Sequence, residues 1–598
     1  MRGAQKQLPL YSLMQSSGKI LATASRTKMP NRFAQLAALA ASMVCLMGSA
    51  VAQQAPNAGS ILRQLEPETP TAPLPKAEPE QKKAPPPAAS GPAIHVSVFH
   101  IEGNHLIATA RIQSLLARYV NHDLSPTDLQ QATDSIARLY HHQGWLARAL
   151  VPAQTVENGN LLIRVVEGRL GNIVFGAGTN PQSLHVTPQR IVDRVVSRLT
   201  PGEPLDQDDL TRGVLLAGDL PGIGVSAQEV SGQDNGLTDV VLSVTNQDLV
   251  SGQFSIDNYG QASIGSERAS GWLDFNSVFG FGEEFAVVGV LTPDLQFGRV
   301  SARLPLNDDG LSLGLDAVGL NYEVRAPGWT AIQPHGSSDS FGSDLEYQLV
   351  RTTDHNLSVG LTLLRKNFYN DNIAGRVSDY HVYDALLYAN ANLFDTLGGG
   401  GLNTASVSVG RGWVSMAGSP GEADDRFGPD TQGEFGVLRY RIDRTQKLWG
   451  PWSAYAAFSG QLSYQNLDPS EEFYLSGPAG VRAYPVSSNG GSSGQLLTAE
   501  LRWAVLRSPR CTCGLKLLYD AGHIRLFAND DFPLAPQPNS YFLQGIGVGA
   551  YGTGPGTLNF SLTAVRKVGG DAEGEVPYTG LTGARQDSRV WASLGWQF

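Results

Sequence analysis

Four short patterns in this 598-residue chain have residue types and spacings that could do chemistry. Gly310-Leu311-Ser312-Leu313-Gly314 fits the G-x-S-x-G of serine hydrolases, where a strained strand-to-helix turn exposes a nucleophilic hydroxyl. Gly547-Val548-Gly549-Ala550-Tyr551-Gly552 fits the G-x-G-x-x-G that cradles a dinucleotide pyrophosphate. His141-His142 offers two imidazoles to a metal, and Cys511-Thr512-Cys513 offers two thiols.

The elements that would have to position these groups argue against each chemistry. The serine lies in an alternating strand with no helix after it, so no nucleophile elbow forms. The glycine-rich run leads into another strand rather than a helix N-terminus, and glycines that let a strand bend explain it better. The histidine pair ends a helix with no third ligand at metal spacing. Oxidation of two cysteines one residue apart closes a tight ring, so two small residues near a turn are the plainer reading. No enzyme activity, no cofactor and no metal are expected.

Composition points toward a membrane. The chain holds 67 Gly, 35 Pro and only 3 Cys, and its formal net charge is −11. Residues 1–52 carry basic but no acidic side chains, so the remainder is more acidic still, which disfavours a nucleic-acid partner. The apolar run 33–52 follows Arg32 and ends Ala50-Val51-Ala52, the form of a secretory signal with an A-x-A cleavage site. The polar stretch before it suggests that translation starts at Met29. Cys45 lies in that run, which leaves Cys511 and Cys513 for the mature protein. Beyond Ala52 no run of about 18 apolar residues occurs, so insertion into a membrane has to use a β-barrel.

Residues 53–92 are rich in Pro, Ala, Lys and Glu and include Ala84-Pro85-Pro86-Pro87, an extended linker. Inside it, residues 58–66 fit a short helix with Ser60 as N-cap and Ile61, Leu62 and Leu65 on one face, or equally a disordered tether. Two units of similar order follow. The first has a strand over 94–101 that breaks at Gly103-Asn104, then a helix carrying Ile112, Leu115, Leu116 and Tyr119. Its second helix opens at Ser125-Pro126, buries Leu129, Ala132, Ile136 and Leu139, and stops at Gly144. A hairpin over 146–151 and 161–166 turns near Asn158-Gly159. The second unit repeats the order: a strand at 173–175, a helix from Thr187-Pro188 with Ile191, Val195 and Leu199, a helix around 210–216, and strands over 225–230 and 237–244 joined at Asp234-Asn235-Gly236. Two β-α-α-β-β modules in tandem are the simplest account.

After about Leu249 helical periodicity stops. In the last segment Val590, Ala592, Leu594, Trp596 and Phe598 alternate with Arg589, Trp591, Ser593, Gly595 and Gln597, as in a strand with lipid on one side and a wet lumen on the other. Leu515, Leu517 and Tyr519 alternate with Lys516, Leu518 and Asp520, and residues 252–259, 284–291, 311–320, 357–364 and 556–565 continue the theme. Roughly 350 residues at about 22 per strand with its loop give about 16 antiparallel strands.

These residues resemble the transporters of two-partner secretion, the haemolysin activator/secretion protein family, which shares a superfamily with the outer-membrane insertases. The most specific match is Leu475-Ser476-Gly477-Pro478-Ala479-Gly480-Val481-Arg482-Ala483-Tyr484-Pro485, similar to the family's V-R-G-Y loop, with Ala483 where many members carry Gly. The resemblance implies that this loop folds back into the barrel and that Arg482 pairs with Asp520, in Leu518-Tyr519-Asp520-Ala521-Gly522, on the inner wall. Gly480, Val481, Ala483, Tyr484 and Pro485 complete the motif. A guanidinium deep in a barrel has to be paired, and a carboxylate matches its donors bidentately. Without the family, Arg482 reads as an ordinary surface-loop arginine. The two modules are similar to POTRA domains, through Phe99-x-Ile101-x-Gly103-Asn104 and Asp219-Leu220-Pro221-Gly222. Ser255-Ile256-Asp257-Asn258-Tyr259-Gly260 resembles the family's first barrel strand, and 58–66 resembles the start of a plug helix.

The resulting division is a signal region (1–52), a plug helix and linker (53–92), POTRA 1 (93–169), POTRA 2 (170–247) and the barrel (248–598). The resemblance implies an outer-membrane transporter whose periplasmic modules capture an unfolded exoprotein that the barrel conducts outward. An exposed module edge can pair with an extended chain through backbone hydrogen bonds. An insertase for other barrels is the rival within the superfamily. A passive porin is the rival from another class, and ion conductance unaffected by deleting residues 93–246 would identify it. An enzyme in the barrel ranks last, and hydrolysis lost on Ser312→Ala would revive it.

Overall fold

The computed structural model describes residues 56–66, 92–232, 236–486, 490–508, 511–533, 535–554, 557–569 and 587–598. The expected signal, the start at Met29, Cys45, the linker beyond residue 66 and the turn residues Asp234 and Asn235 lie outside the described residues. The first element is helix α1 (Ala58–Leu65). Its N-cap is Asn57 rather than Ser60, because both members of a capping box three residues apart are present: Asn57 accepts from Ser60 N at 2.8 Å, and Ser60 Oγ returns to Asn57 N at 3.3 Å. The cap sits one turn earlier than expected.

The first α+β module contains β1 (Ile94–Val96), β2 (Val98–Glu102), α2 (Thr109–Leu116), β3 (His122–Leu124), α3 (Pro126–His141), β4 (Ala147–Leu150) and β5 (Asn160–Glu167). The expected single strand over 94–101 is two. The carbonyl of Gly159, in the hairpin turn, accepts from both Ser97 N and Val98 N, which breaks the alternation at Ser97. As a result β1 pairs with β3 while β2 runs parallel to β5. Helix α3 starts as its residues dictate, with a capping box from Ser125 to Asp128 and Pro126 in its first turn. It buries Ala132, Ile136 and Tyr140 against Phe99, Leu161 and Ile163. The Tyr140 hydroxyl donates to Glu167 at 2.8 Å, which satisfies the one polar atom that burial would strand.

The second module repeats the plan with β6 (Arg169–Phe175), α4 (Pro188–Val195), α5 (Gln207–Gly218), β7 (Ile223–Ser231) and β8 (Leu237–Asn246), in sheet order β6-β8-β7. Leu199, expected on the first of these helices, lies beyond its end. Helix α4 closes at Val196, and Leu199 still packs on the core of Ile191, Val195 and Leu242.

Sixteen antiparallel strands then close a barrel. They are β9 (Val250–Asp257), β10 (Arg268–Asn276), β11 (Glu284–Thr292), β12 (Leu295–Pro305), β13 (Leu311–Glu323), β14 (His335–Arg351), β15 (His355–Asn372) and β16 (Gly375–Asp395). The second half is β17 (Gly401–Ser415), β18 (Gly433–Lys447), β19 (Trp452–Leu462), β20 (Ser493–Ser508), β21 (Cys511–Arg525), β22 (Ser540–Thr553), β23 (Leu558–Lys567) and β24 (Ser588–Gln597). Strand β24 returns to β9, from Ser593 opposite Asp257 to Gln597 opposite Gln253, so no sheet edge is left open. The alternation expected in the last strand is explicit: Val590, Leu594, Trp596 and Phe598 are exposed on the outer face, and Trp591 is buried within. On β21, Leu515 and Leu517 face out while Lys516, Leu518 and Asp520 face the lumen. Exposed apolar rows of this size suit hydrocarbon and not water.

Ser312 falls in β13 opposite Pro305 and Glu346, and the Gly547 to Gly552 run falls wholly in β22. Neither run opens a helix. His141 and His142 are exposed at the end of α3. The cysteines are free thiols on one face of β21, with sulfurs 3.4 Å apart.

Candidate functional site

Strands β19 and β20 are joined by a long segment, 463–492, whose described part turns back into the lumen. Its path is held by its own backbone. Phe473 and Gly491 form one bridge, Ser476 and Val481 another, and Val481 N donates to Leu475 O at 2.8 Å. Gly480 has to be glycine here, since a Cβ at that position would stand 2.1 Å from the Leu475 carbonyl.

The tip places Arg482 against the wall. Its Nε and Nη2 donate to the two oxygens of Asp520 on β21, each at 2.8 Å, and its backbone N–H donates to the same carboxylate at 3.2 Å. Its Nη1 donates at 2.6 Å to Glu500 on the neighbouring strand β20. Asp520 is fully buried, so a fixed fork of donors is the kind of partner its charge needs. Glu500 in turn accepts from Arg502 Nε at 2.8 Å and Lys516 Nζ at 3.2 Å, giving three cations and two carboxylates in one connected patch. From β24, three strands along the wall from β21, Trp591 Nε1 donates to the Arg482 carbonyl at 2.7 Å.

Around this polar contact the motif residues are apolar and packed. Val481, Ala483 and Tyr484 are buried against Leu496, Leu518, Ile524, Leu543 and Val565. Ala483 is accommodated because β22 carries Gly545 opposite: a Cβ there would come within 2.5 Å of the Ala483 methyl. Tyr484 lies with its ring 4.4 Å from Lys567 Nζ, and Pro485 is half-buried behind it.

Sequence motifs did not flag Glu500. The signal for it is the alternation Thr498, Glu500, Arg502 on a strand whose other face is apolar. A second lumen contact lies at residues 58–66, where the resemblance implies the start of a plug helix and no motif flags the wall residues that meet it. Helix α1 lies inside the barrel, with Ile61 and Leu62 buried among wall residues including Phe368 and Val382, and Ala58 N donating to Asn370 on β15 at 2.8 Å. At its other end Glu66 meets Lys366 at 3.2 Å, and Lys366 meets Glu471 of the returning loop, also at 3.2 Å. Arg439 on β18 adds a 2.7 Å contact to Glu471. Helix, loop and wall thus share one buried cation. Beside them is a charged lumen cavity of about 780 Å³, lined by Arg299, Asp316, Asp384 and Arg439 among others.

The second module sits on the barrel's near rim through charges as well. Asp309, in the turn between β12 and β13, accepts from Arg198 at 2.9 and 3.0 Å, from Arg212 of α5 at 3.1 Å and from the Tyr347 hydroxyl at 2.7 Å. Burial alone would raise the Asp309 carboxyl, but these hydrogen bonds outweigh it and hold its pKa down to about 2. Arg351 at the end of β14 forks onto Asp219 with two 2.8 Å bonds. Among the described residues, no group of three or more His, Cys, Asp or Glu side chains is placed to hold a metal.

Comparison with known proteins agrees with this architecture. The family model described as haemolysin secretion/activation protein ShlB/FhaC/HecB matches residues 236–552, and the ShlB-type POTRA domain model matches 94–168. The chain is 23% identical over 563 residues to the heme/hemopexin transporter protein HuxB of Haemophilus influenzae, covering 90% of this chain and 96% of that one. It is 25% identical over 447 residues to the outer membrane transporter CdiB of Escherichia coli, covering 70% of each. The solved structure of CdiB from Escherichia coli superposes with a TM-score of 0.66 at 21% identity, over 96% of this chain and all of that one, which supports the fold.

Proposed function

The chain belongs to the haemolysin secretion/activation family, whose members are outer-membrane transporters of two-partner secretion, and within that role we propose how it works. It resides in the outer membrane with its N-terminal modules in the periplasm. The modules receive a secreted partner protein in an unfolded state, and the barrel conducts it outward. Backbone pairing at a module edge demands little of the cargo's side chains, so it suits an extended chain. The driving force comes from the cargo folding outside.

The observation that carries the reading is the fork of Arg482 onto Asp520 and Glu500, which ties a 30-residue-scale loop to the inner wall where a cargo has to pass. Arg482 holds the loop in the shape that lets the lumen conduct. Helix α1 acts as a plug that occupies the lumen between transport events. In cells co-expressing the partner, Arg482→Ala abolishes export while the barrel still inserts, shown by heat-modifiable migration. Normal export by a stably inserted variant overturns this role.

A further inference from the structure

The turn between β10 and β11 presents Val278, Phe279 and Phe281 to the surroundings, with Phe279 67% and Phe281 44% exposed. Side chains of this size are rarely left in water on a rigid turn. This turn is rigid. Glu283, fully buried, accepts from Phe279 N at 2.5 Å and Phe281 N at 3.2 Å, and Ser277 N donates to its carbonyl at 2.7 Å. Ser277 is held in the left-handed region at φ 50°, which a free loop would relax.

Two further observations give the turn a direction. Phe279 stacks on Phe281 with ring centroids 6.1 Å apart and meets Phe285 of β11 edge-on at 5.9 Å. Phe285 begins the outward row of that strand, which continues through the exposed Val287 and Leu291, so the aromatic pair prolongs the barrel's lipid-facing surface past its rim. On its other side the same turn is bonded to the second module. Thr187 N, at the start of α4, donates to Gly280 O at 2.9 Å, the Ser277 hydroxyl donates to Pro221 O, and Gly282 packs under Leu220 so closely that a Cβ would stand 2.3 Å from it.

We propose that this turn is a membrane anchor: Phe279 and Phe281 enter the boundary between headgroups and acyl chains of the periplasmic leaflet and thereby fix the second module's attitude to the membrane. Lipid is the occupant because the patch is continuous with the barrel's apolar belt and lacks charged side chains at its tip. The inference rests on the outer-membrane reading of the barrel.

The test uses the full chain in vesicles of phosphatidylethanolamine and phosphatidylglycerol, with the photo-crosslinker p-benzoylphenylalanine replacing Phe279 or Phe281. Leu291, in the belt, is the positive position, and His142, exposed on the first module, is the negative one. Lipid adducts at 279 and 281 approaching the yield at Leu291, and about tenfold above His142, are expected from burial of two aromatic rings. Adducts at Leu291 but not at 279 or 281 overturn the anchor and leave the barrel reading intact. Absence at all three overturns both. In the double variant F279S/F281S, trypsin cleavage after Arg190 and Arg198 speeds up about tenfold in vesicles as the module loosens. An unchanged rate overturns the tie between leaflet and module.

Discussion

Two of the arginine–carboxylate contacts in this molecule, one in the lumen and one at the rim, have surroundings that make them different devices. In the lumen, Arg482 lies between fully buried Asp520 and nearly buried Glu500, walled by Val481, Ala483 and Tyr484. At the rim, Arg198 and Arg212 share Asp309, whose side chain keeps 28% exposure, and Arg198 keeps 38%. Water and salt reach the second site far more readily than the first. Loss of a partner in the lumen leaves a buried charge with nowhere to turn, which costs about 3–5 kcal/mol. Loss at the rim is softened by solvent. The lumen site is therefore built to hold one arrangement, and the rim to hold while permitting movement.

The largest effect expected from this contrast comes from neutralising the two aspartates in parallel. Asp520→Asn removes the bidentate carboxylate from Arg482, leaving Glu500 as its charged partner, and abolishes export into the medium, with the barrel still heat-modifiable. Asp309→Asn, which keeps one neutral acceptor oxygen while solvent takes up the donors it no longer meets, lowers export by a few-fold at most. Equal losses in the two variants would dissolve the comparison. Arg351→Ala sharpens it next. Although at the rim, Arg351 is buried and forks onto Asp219 while also bonding Asn356 at 3.0 Å. Its removal costs the module's seat about 2–3 kcal/mol, read as faster hydrogen exchange in α5 while the barrel strands are unchanged.

How far the two sites can be read from sequence follows the same divide. The lumen pair is spelled in two compact motifs, one around Arg482 and one around Asp520, because close packing of a loop tip fixes many neighbours at once. Glu500 has no motif, and only its place on the lumen side of an alternating strand marks it. At the rim, Arg198, Arg212, Asp309 and Arg351 are scattered along more than a hundred residues and look like ordinary surface charge until the fold assembles them, and Asp219, although it opens a module motif, is not marked there as the partner of Arg351. The barrel itself was legible through strand alternation and turn spacing. The helix cap at Asn57 was not, because Asn57 and Ser60 are both good caps and the choice depends on which closes the box against Asn370 and the wall.

Acid distinguishes the rim in a smaller way. The Asp309 carboxyl is depressed to about 2, below its ordinary value near 3.8, so it favours the docked state fully above about pH 4. As pH falls from there through 2, the carboxylate gains a proton and the contribution disappears. Protection of α4 and α5 against hydrogen exchange, taken relative to the intrinsic amide rate at each pH, should fall over that window, and Asp309→Asn should flatten the dependence. A profile identical in the wild type and the variant would show that Asp309 does not latch the module.

Ionic strength is the mildest probe and the one that separates the two sites without a mutation. The Debye length shrinks from about 10 Å at 0.1 M to about 3 Å at 1 M, and screening acts where ions can enter. Arg198 is open enough for that, whereas Asp520 is sealed under the loop and its bonds are short and bidentate. High salt should therefore raise trypsin cleavage after Arg198 by about two- to threefold, a change of well under 1 kcal/mol as expected for exposed pairs. Cleavage after Arg482 should stay undetectable at either concentration. If salt exposed Arg482 as readily as Arg198, ions would be reaching the lumen contact, the fork would be no better sealed than the rim pair, and the contrast between the two sites would fail.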